Sequence, residues 1–194
     1  INLAGRSVNC RYNDENRRQM MDSRVDSTRV VGEAIARAAY PPKVWLQAST
    51  ATIYAHRFDA PNGDVTGIIG GHEADAPDTW NFSIEVATAW EKAANDATTP
   101  KTRKVLMRSA MTMSPDRGSI FDVMLGLVRK GLGGTAASGK QYISWIHDQD
   151  FIRSVYWLIE HEELSGPINL SSPYPLPNRE FMRIFRKASG TRFG

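Results

Sequence analysis

Residues Lys43 to Tyr54 read KVWLQASTATIY, an apolar β-type run ending in a row of hydroxyl side chains: Ser49, Thr50, Thr52 and Tyr54. Open α/β sheets bind ligands in the crevice just outside the carboxyl ends of their strands. A hydroxyl delivered there can donate to, or orient, an oxygen of a bound ligand, which puts the chemistry near Thr50. Arg108 closes a second apolar run, Val105-Leu106-Met107. Its charge either meets a phosphate at the same kind of crevice or pairs with an acid. His56 follows the first strand end and could reach the cleft. His147, in SWIHDQD, opens a helix, where hydrogen bonding to Asp148 or Asp150 is the plainer role.

Other chemical patterns start and do not finish. Gly134 to Lys140 fits the first seven positions of GxxxxGK, yet Gln141 stands where a Mg²⁺-binding Ser or Thr belongs, and the following residues read as a strand instead of a helix. His72-Glu73 and His161-Glu162 lack the second histidine one turn on, so no zinc-protease motif forms and no metal is expected. One cysteine, Cys10, rules out an internal disulfide and suits a reducing compartment.

The elements that must position the hydroxyls follow from periodicity. An apolar strand end, INLAG, opens the chain, and a long helix is expected over Asp14–Ala39, stopped by Pro41-Pro42. A strand over Lys43–Ser49 comes next, then a glycine-rich binding loop over Pro61–Pro77, a helix over Phe82–Ala94 and a strand over Lys104–Met113. Downstream lie a short helix over Phe121–Val128, a strand over Tyr142–His147, a helix over Asp148–Glu160 and a strand over Pro167–Leu170. The last helix is capped by Asn178 and turns Phe181, Ile184 and Phe185 inward. This is an α/β alternation with two parts, 1–118 and 119–194. With 194 residues, 41% hydrophobic and 23% charged, the chain can bury one substantial core and a smaller lobe. Its 24 Lys and Arg face 21 Asp and Glu in scattered order, without the basic aromatic stripe that nucleic acid requires. No apolar stretch reaches the roughly 20 residues of a membrane span, and a cytoplasmic location is expected. INLAG, without an initiator Met or a preceding strand–helix unit, reads as an internal stretch of a larger protein.

INLAG resembles the Asn-X-Ala-Gly turn of short-chain dehydrogenase/reductases, and ASTATIYA the Ser-Ser-hydroxyl-X-X-Val-Tyr-Gly strand end of their extended, epimerase-like members. LMRSAMTMSPDRG, GLGG, SWIHDQD and GPINLSSPYPLPNREFM are similar, in order, to the YfcH-like subgroup of NAD(P)-dependent epimerases. The resemblance implies a partial Rossmann-type doubly wound parallel sheet, with the glycine-rich pyrophosphate turn upstream of Ile1, and a smaller C-terminal substrate-binding lobe. It implies NAD or NADP lined by Leu3, Ala4 and Gly5 on the adenosine side, Ala48 and Ser49 on the nicotinamide side, and Arg108, Ser109, Ala110 and Met111 after the third strand. The substrate is a sugar-nucleotide-like or other small polar alcohol; Thr50 is its catalytic hydroxyl, Tyr54 a second catalytic candidate, and His56 and His147 substrate contacts.

The family's tyrosine, followed by lysine four residues on, is missing from this chain. None of the six tyrosines has Lys at that offset, and aligning Glu91 with the acid usual on that helix leaves Ser83 near the tyrosine position and Ala87 near the lysine. Two readings therefore stay open: a piece of an NAD(P)-dependent epimerase or oxidoreductase, or a non-catalytic dinucleotide-binding or assembly module. By itself the chain is expected to be inactive, to bind dinucleotide weakly and to self-associate through an exposed sheet edge.

Overall fold

The computed structural model describes residues 1–73 and 77–191; positions 74–76 of the expected Pro61–Pro77 loop lie outside them. Helix α1 spans Asp14–Arg37, started by Asn13, whose side chain accepts the Asn16 N–H. It ends before the expected Ala39 because Ala38 turns extended, its own N–H bonding Ile35 O. Strand β1 (Val44–Thr50) follows, then a 3₁₀ turn at Ala51–Ile53, helix α2 (Asp78–Asp96) and strand β2 (Arg103–Ser109).

Strand β3 (Met111–Met113) is short, since Ala110 interrupts the single strand expected over Lys104–Met113. Helix α3 (Ile120–Arg129) is capped by Ser119, whose hydroxyl accepts the Asp122 N–H. The run expected as one strand over Tyr142–His147 is two, β4 (Tyr142–Ile143) and β5 (Trp145–His147), because each takes a different partner. β5 pairs parallel with β3 in the register Met111 with Trp145, while β4 pairs antiparallel with β7 (Leu176–Pro177). Helix α4 (Asp148–Glu160) and strand β6 (Gly166–Leu170) precede β7, and helix α5 (Asn178–Ala188) ends the fold. Asn178 is not the cap of α5 but its first residue; its side chain is used elsewhere, accepting the Ala136 N–H at 2.8 Å. The inward face of α5 is Phe181, Met182 and Phe185, with Ile184 exposed.

The described residues fall into two compact units. Those within 1–108 and 155–169 form the first, those within 109–154 and 170–194 the second. In the first, the sheet order is β1-β2-β6, and Asn2 extends it with a parallel bridge to Gln47. Consecutive side chains of a strand point to opposite faces, and β2 uses this to seat two helices. Arg103 donates to Leu158 O at the carboxyl end of α4 and to Leu164 O in the turn after it, whereas Lys104 donates to Ala94 O and Ala97 O at the end of α2. The two cations answer orphan helix carbonyls, and α2 and α4 therefore flank opposite faces: the sheet is doubly wound.

On the α2 face, Trp45 and Leu106 pack with Ala94, backed by Val31, Ile35 and Ala97. Helix α1 lies beside α2 and runs the same way: Arg17 meets Asp78 at their starts and Arg24 covers Trp90 at mid-length. At their ends Gly32 faces Ala97 so closely that an added Cβ would stand 2.7 Å from the alanine methyl. The second unit packs Met113, Val128, Phe181 and Met182 into its own small core, with Phe121, Met124 and Trp145 around it.

Candidate functional site

The carboxyl end of β1 carries the hydroxyls. Successive positions 45, 47 and 49 turn toward α1 and α2, and Ser49, 6% exposed, donates its hydroxyl to Glu91 Oε1 at 2.5 Å. Thr50 is half-buried. Its Oγ1 accepts the Thr52 N–H at 3.2 Å and bonds Thr52 Oγ1 at 3.0 Å, which turns the chain into the 3₁₀ segment and leaves the hydroxyl at the surface of the strand end. Ile53 and Tyr54 then fold back into the core beside Ala87.

Beneath that turn lies a desolvated charge network. Glu91 on α2 and Arg108 on β2, each 7% exposed, form a two-pronged pair at 2.8 and 2.7 Å. Arg108 also donates from Nη1 to the Tyr54 hydroxyl at 3.0 Å and lies 4.9 Å over the Tyr54 ring. Tyr54 in turn donates to Asn169 Oδ1 at 2.7 Å. Its hydrogen bonds, to Glu91 first, hold Arg108 above the ordinary guanidinium range despite burial. The arginine left open between a phosphate and an acid is thus placed against an acid.

Asn169, on β6, extends the network into the loop after Tyr54. It donates from Nδ2 to Asn62 O at 3.0 Å, and its own N–H donates to Asp64 Oδ1 at 2.5 Å. Asn62 donates to Ala55 O and accepts from Ile68 N, and Tyr54 bridges antiparallel to Ile69. Gly67 is required here, since a Cβ would lie 2.4 Å from the Tyr54 ring. Glu73 accepts the N–H groups of Gly71, His72 and His56, and backbone donors of this kind, its own N–H first, pull its carboxyl below the usual range.

The remaining expected positions are spread out. Leu3, Ala4 and Gly5 are exposed at the free side of the Asn2 bridge, and Ala48 is half-buried on β1. His56 is exposed, edge-on to Phe58 and Trp80 at 4.7 and 5.3 Å. In the second unit, Ala110 is buried and donates its N–H to Leu170 O, with Ser109 and Met111 half-buried beside it. His147, at the start of α4, holds Nδ1 2.8 Å from Asp148 Oδ1 and 3.2 Å from the Gln149 N–H. The GxxxxGK stretch folds onto the first turn of α5, Arg179 donating its N–H to Gly139 O, and β4 follows it. Among the described residues no cluster of His, Cys, Asp and Glu has metal-ligand geometry, and no helix is long and apolar enough to cross a membrane. Sequence reasoning missed Asn169, Asn62 and Asp64, whose roles depend on pairings more than 100 residues apart. It used Glu91 only as a register mark.

No protein-family model matches the chain. It is 31% identical over 175 residues to an epimerase family protein of Staphylococcus epidermidis, covering 90% of this chain and 55% of the relative. An epimerase family protein of Mycobacterium leprae matches at 31% over 189 residues, 97% of this chain and 57% of the relative. The crystal structure of a human epimerase family protein with NADPH superposes with a TM-score of 0.87 at 30% identity, covering 98% of this chain and 62% of that one. A UDP-glucuronic acid 4-epimerase from Bacillus cereus, in complex with UDP-glucuronic acid and NAD, shares the fold at 14% identity and a TM-score of 0.75 over 98% of this chain and 59% of that one. The chain thus spans somewhat more than half the length of the relatives it matches. Over nearly all of its own length the chain is similar to epimerase family proteins, and its α/β fold is the Rossmann-type fold of the structures it superposes on.

Proposed function

We propose that this segment carries the substrate-orienting part of an NAD(P)-dependent epimerase-like oxidoreductase of the YfcH-like subgroup, acting on a sugar-nucleotide-like or other small polar alcohol. The observation that carries this reading is the half-buried Thr50 hydroxyl, at the carboxyl end of a central strand, seated on a fully paired buried network. A bound nicotinamide supplies hydride transfer to or from the substrate carbon. The residues present fit such a group: exposed Leu3, the small Ala4 and Gly5 that follow it, and the backbone at Ala48 suit a dinucleotide lying against the chain.

In this reading Thr50 donates to the carbinol oxygen and sets its orientation, exchanging its bond to Thr52 for one to substrate. Tyr54 acts as a positioning residue, because its proton is given to Asn169 and its oxygen receives Arg108. The lysine of the usual pair has no counterpart. Ala87, near the lysine position, is fully buried against Ile53 and Tyr54 and supplies no ammonium.

That last observation favours a second reading, a dinucleotide-binding module without turnover. The two separate in one experiment on a longer polypeptide containing this segment. NAD(H) or NADP(H), in both redox forms, is added with a panel of sugar nucleotides, while cofactor fluorescence, nicotinamide absorbance and the appearance of an isomerised, oxidised or reduced sugar are followed. Conversion of a sugar nucleotide supports the enzyme; saturable cofactor binding with no conversion of any of them supports the module and overturns the enzyme.

A further inference from the structure

Helix α3, in the second unit, carries more hydrocarbon than its neighbours cover. Of its ten residues, IFDVMLGLVR, only Val128 is buried. Phe121 and Met124 join Val128 in the small core with Phe181 and Met182. Ile120, Val123 and Leu127, three and four positions apart and therefore on one face, stay 43%, 45% and 44% exposed. A helix this apolar is ordinarily enclosed. The stripe continues past the helix end, where Leu132 donates its N–H to Leu127 O and Gly131, at φ +77°, donates to Val128 O, both at 3.0 Å. In this kind of glycine-ended helix the apolar side chains on either side of the glycine lie together, yet Leu132 is 67% exposed.

The charge around the stripe is mostly of one sign. Residues 109–154 and 170–194 hold ten Lys and Arg against five Asp and Glu, whereas in the rest of the chain sixteen acids outnumber fourteen bases. Lys130, exposed, takes the next position in the spacing of the stripe. Helix α5 adds Arg179, Arg183 and Arg186, again three to four apart and so on one face. That row lies along the turn after α3, because Arg186 donates from Nη1 to Gly133 O at 2.6 Å and Arg179 donates its N–H to Gly139 O at 3.1 Å. The acids of these elements are engaged already: Asp122 accepts the Gly118 N–H, Asp116 accepts the Ser114 hydroxyl, and Glu180 lies 3.8 Å from Arg183.

We propose that this face of the second unit seats on an anionic phospholipid surface, with Ile120, Val123, Leu127 and Leu132 at the acyl boundary and Lys130 and the α5 arginines toward the phosphates. A helix lying in a membrane interface presents hydrocarbon on one side with Lys and Arg flanking it, and anionic headgroups draw such cations to the surface. Charge and side-chain type choose this occupant over others. A second copy would bring two basic faces together, which repel. Protein interfaces centre on Trp, Tyr and Arg, and single-stranded nucleic acid stacks on aromatic rings; the stripe offers only Ile, Val and Leu. The contact stays at the surface, since among the described residues no helix is long and apolar enough to cross a membrane. It is independent of the hydride chemistry proposed above.

The test sediments the 194-residue chain with vesicles of phosphatidylcholine alone, or of phosphatidylcholine with an equal part of phosphatidylglycerol. The expected result is saturable binding to the anionic vesicles, far weaker binding to the neutral ones, and loss of binding as added salt screens the surface charge. Leu127→Glu and Lys130→Glu each weaken it about 10-fold, while Val30→Glu, at an exposed apolar position of the first unit, leaves it unchanged. Circular dichroism verifies that the variants are folded, and the wild-type comparison of the two vesicles stands whether or not they are. Absence of binding to anionic vesicles, equal binding to neutral ones, or unchanged binding in either folded variant overturns the proposal. So does binding that disappears in a longer polypeptide containing this segment. Self-association in light scattering that Leu127→Glu abolishes, without vesicle binding, gives the face to a second copy and overturns the lipid assignment.

Discussion

Two arginines on the α2 side of the sheet, Arg108 and Arg24, meet the same physical problem in opposite ways. Around Arg108 every donor direction used is answered from within the chain: Glu91 takes two, Tyr54 takes one, and Asn169 ties that tyrosine to the following loop. Around Arg24 the chain offers a carbonyl, an aromatic face and a glycine, and no acid. A closed network of this kind fixes geometry, because losing any member leaves a buried charge or dipole alone. The difference separates an arginine that ties the strand end into the core from one held only by a helix carbonyl and an aromatic face.

Breaking the closed side has the largest effect. Glu91→Ala leaves the Arg108 guanidinium buried and unpaired, and is expected to cost about 3–5 kcal/mol, read as a large fall in the melting temperature or denaturant midpoint. If Glu91→Ala melts like the parent, the network is not what holds β1, β2 and α2 together. Arg24→Met, by contrast, removes a cation–π contact and a bond to Met20 O and is expected to cost no more than about 2 kcal/mol, so stability distinguishes the two sites.

A smaller step sharpens the closed side. Tyr54→Phe deletes the hydroxyl between Arg108 and Asn169 and is expected to cost about 1–3 kcal/mol, since both partners are left without it. The same change should raise amide exchange in residues 62–70, which Asn169 and Tyr54 hold. Uniform exchange in variant and parent would show that the loop is held by its own turns.

The smallest effect is one of pH. Because Glu73 is held below its ordinary value of 4.5 by backbone N–H groups, its contribution is present above that value and lost as the pH falls through the lower folded value. Protection of the Gly71 and His72 amides, taken relative to the unstructured exchange rate at each pH, should therefore fall below pH 4.5 and stay constant from there to neutrality. Glu73→Gln should show the reduced protection already at neutral pH.

Much of this was legible in the residues. The apolar runs that hold Trp45 and Leu106 form strands, and the helices fall within a few residues of their expected spans, because short apolar runs, long amphipathic patterns and proline stops are local signals. The hydroxyl row was visible for the same reason. What the sequence could not give are choices made by distant partners. Ala110 ends β2 early to bond Leu170 O, Ser144 divides a strand that pairs on two sides, and Asn178 gives up a cap to hold Ala136. Arg108 was ambiguous because its partner lies 17 residues away on another element, and Arg24 was invisible because an unpaired charge is a property of the packed structure only.

The most direct test of the central claim is at Thr50, in a longer polypeptide containing this segment and showing hydride transfer. Thr50→Val keeps the shape and deletes the hydroxyl, and is expected to lower kcat by about 10²- to 10³-fold, the usual loss for one positioned donor, with cofactor affinity unchanged and Thr50→Ser restoring most of the rate. Turnover in Thr50→Val equal to that of the parent would contradict the account.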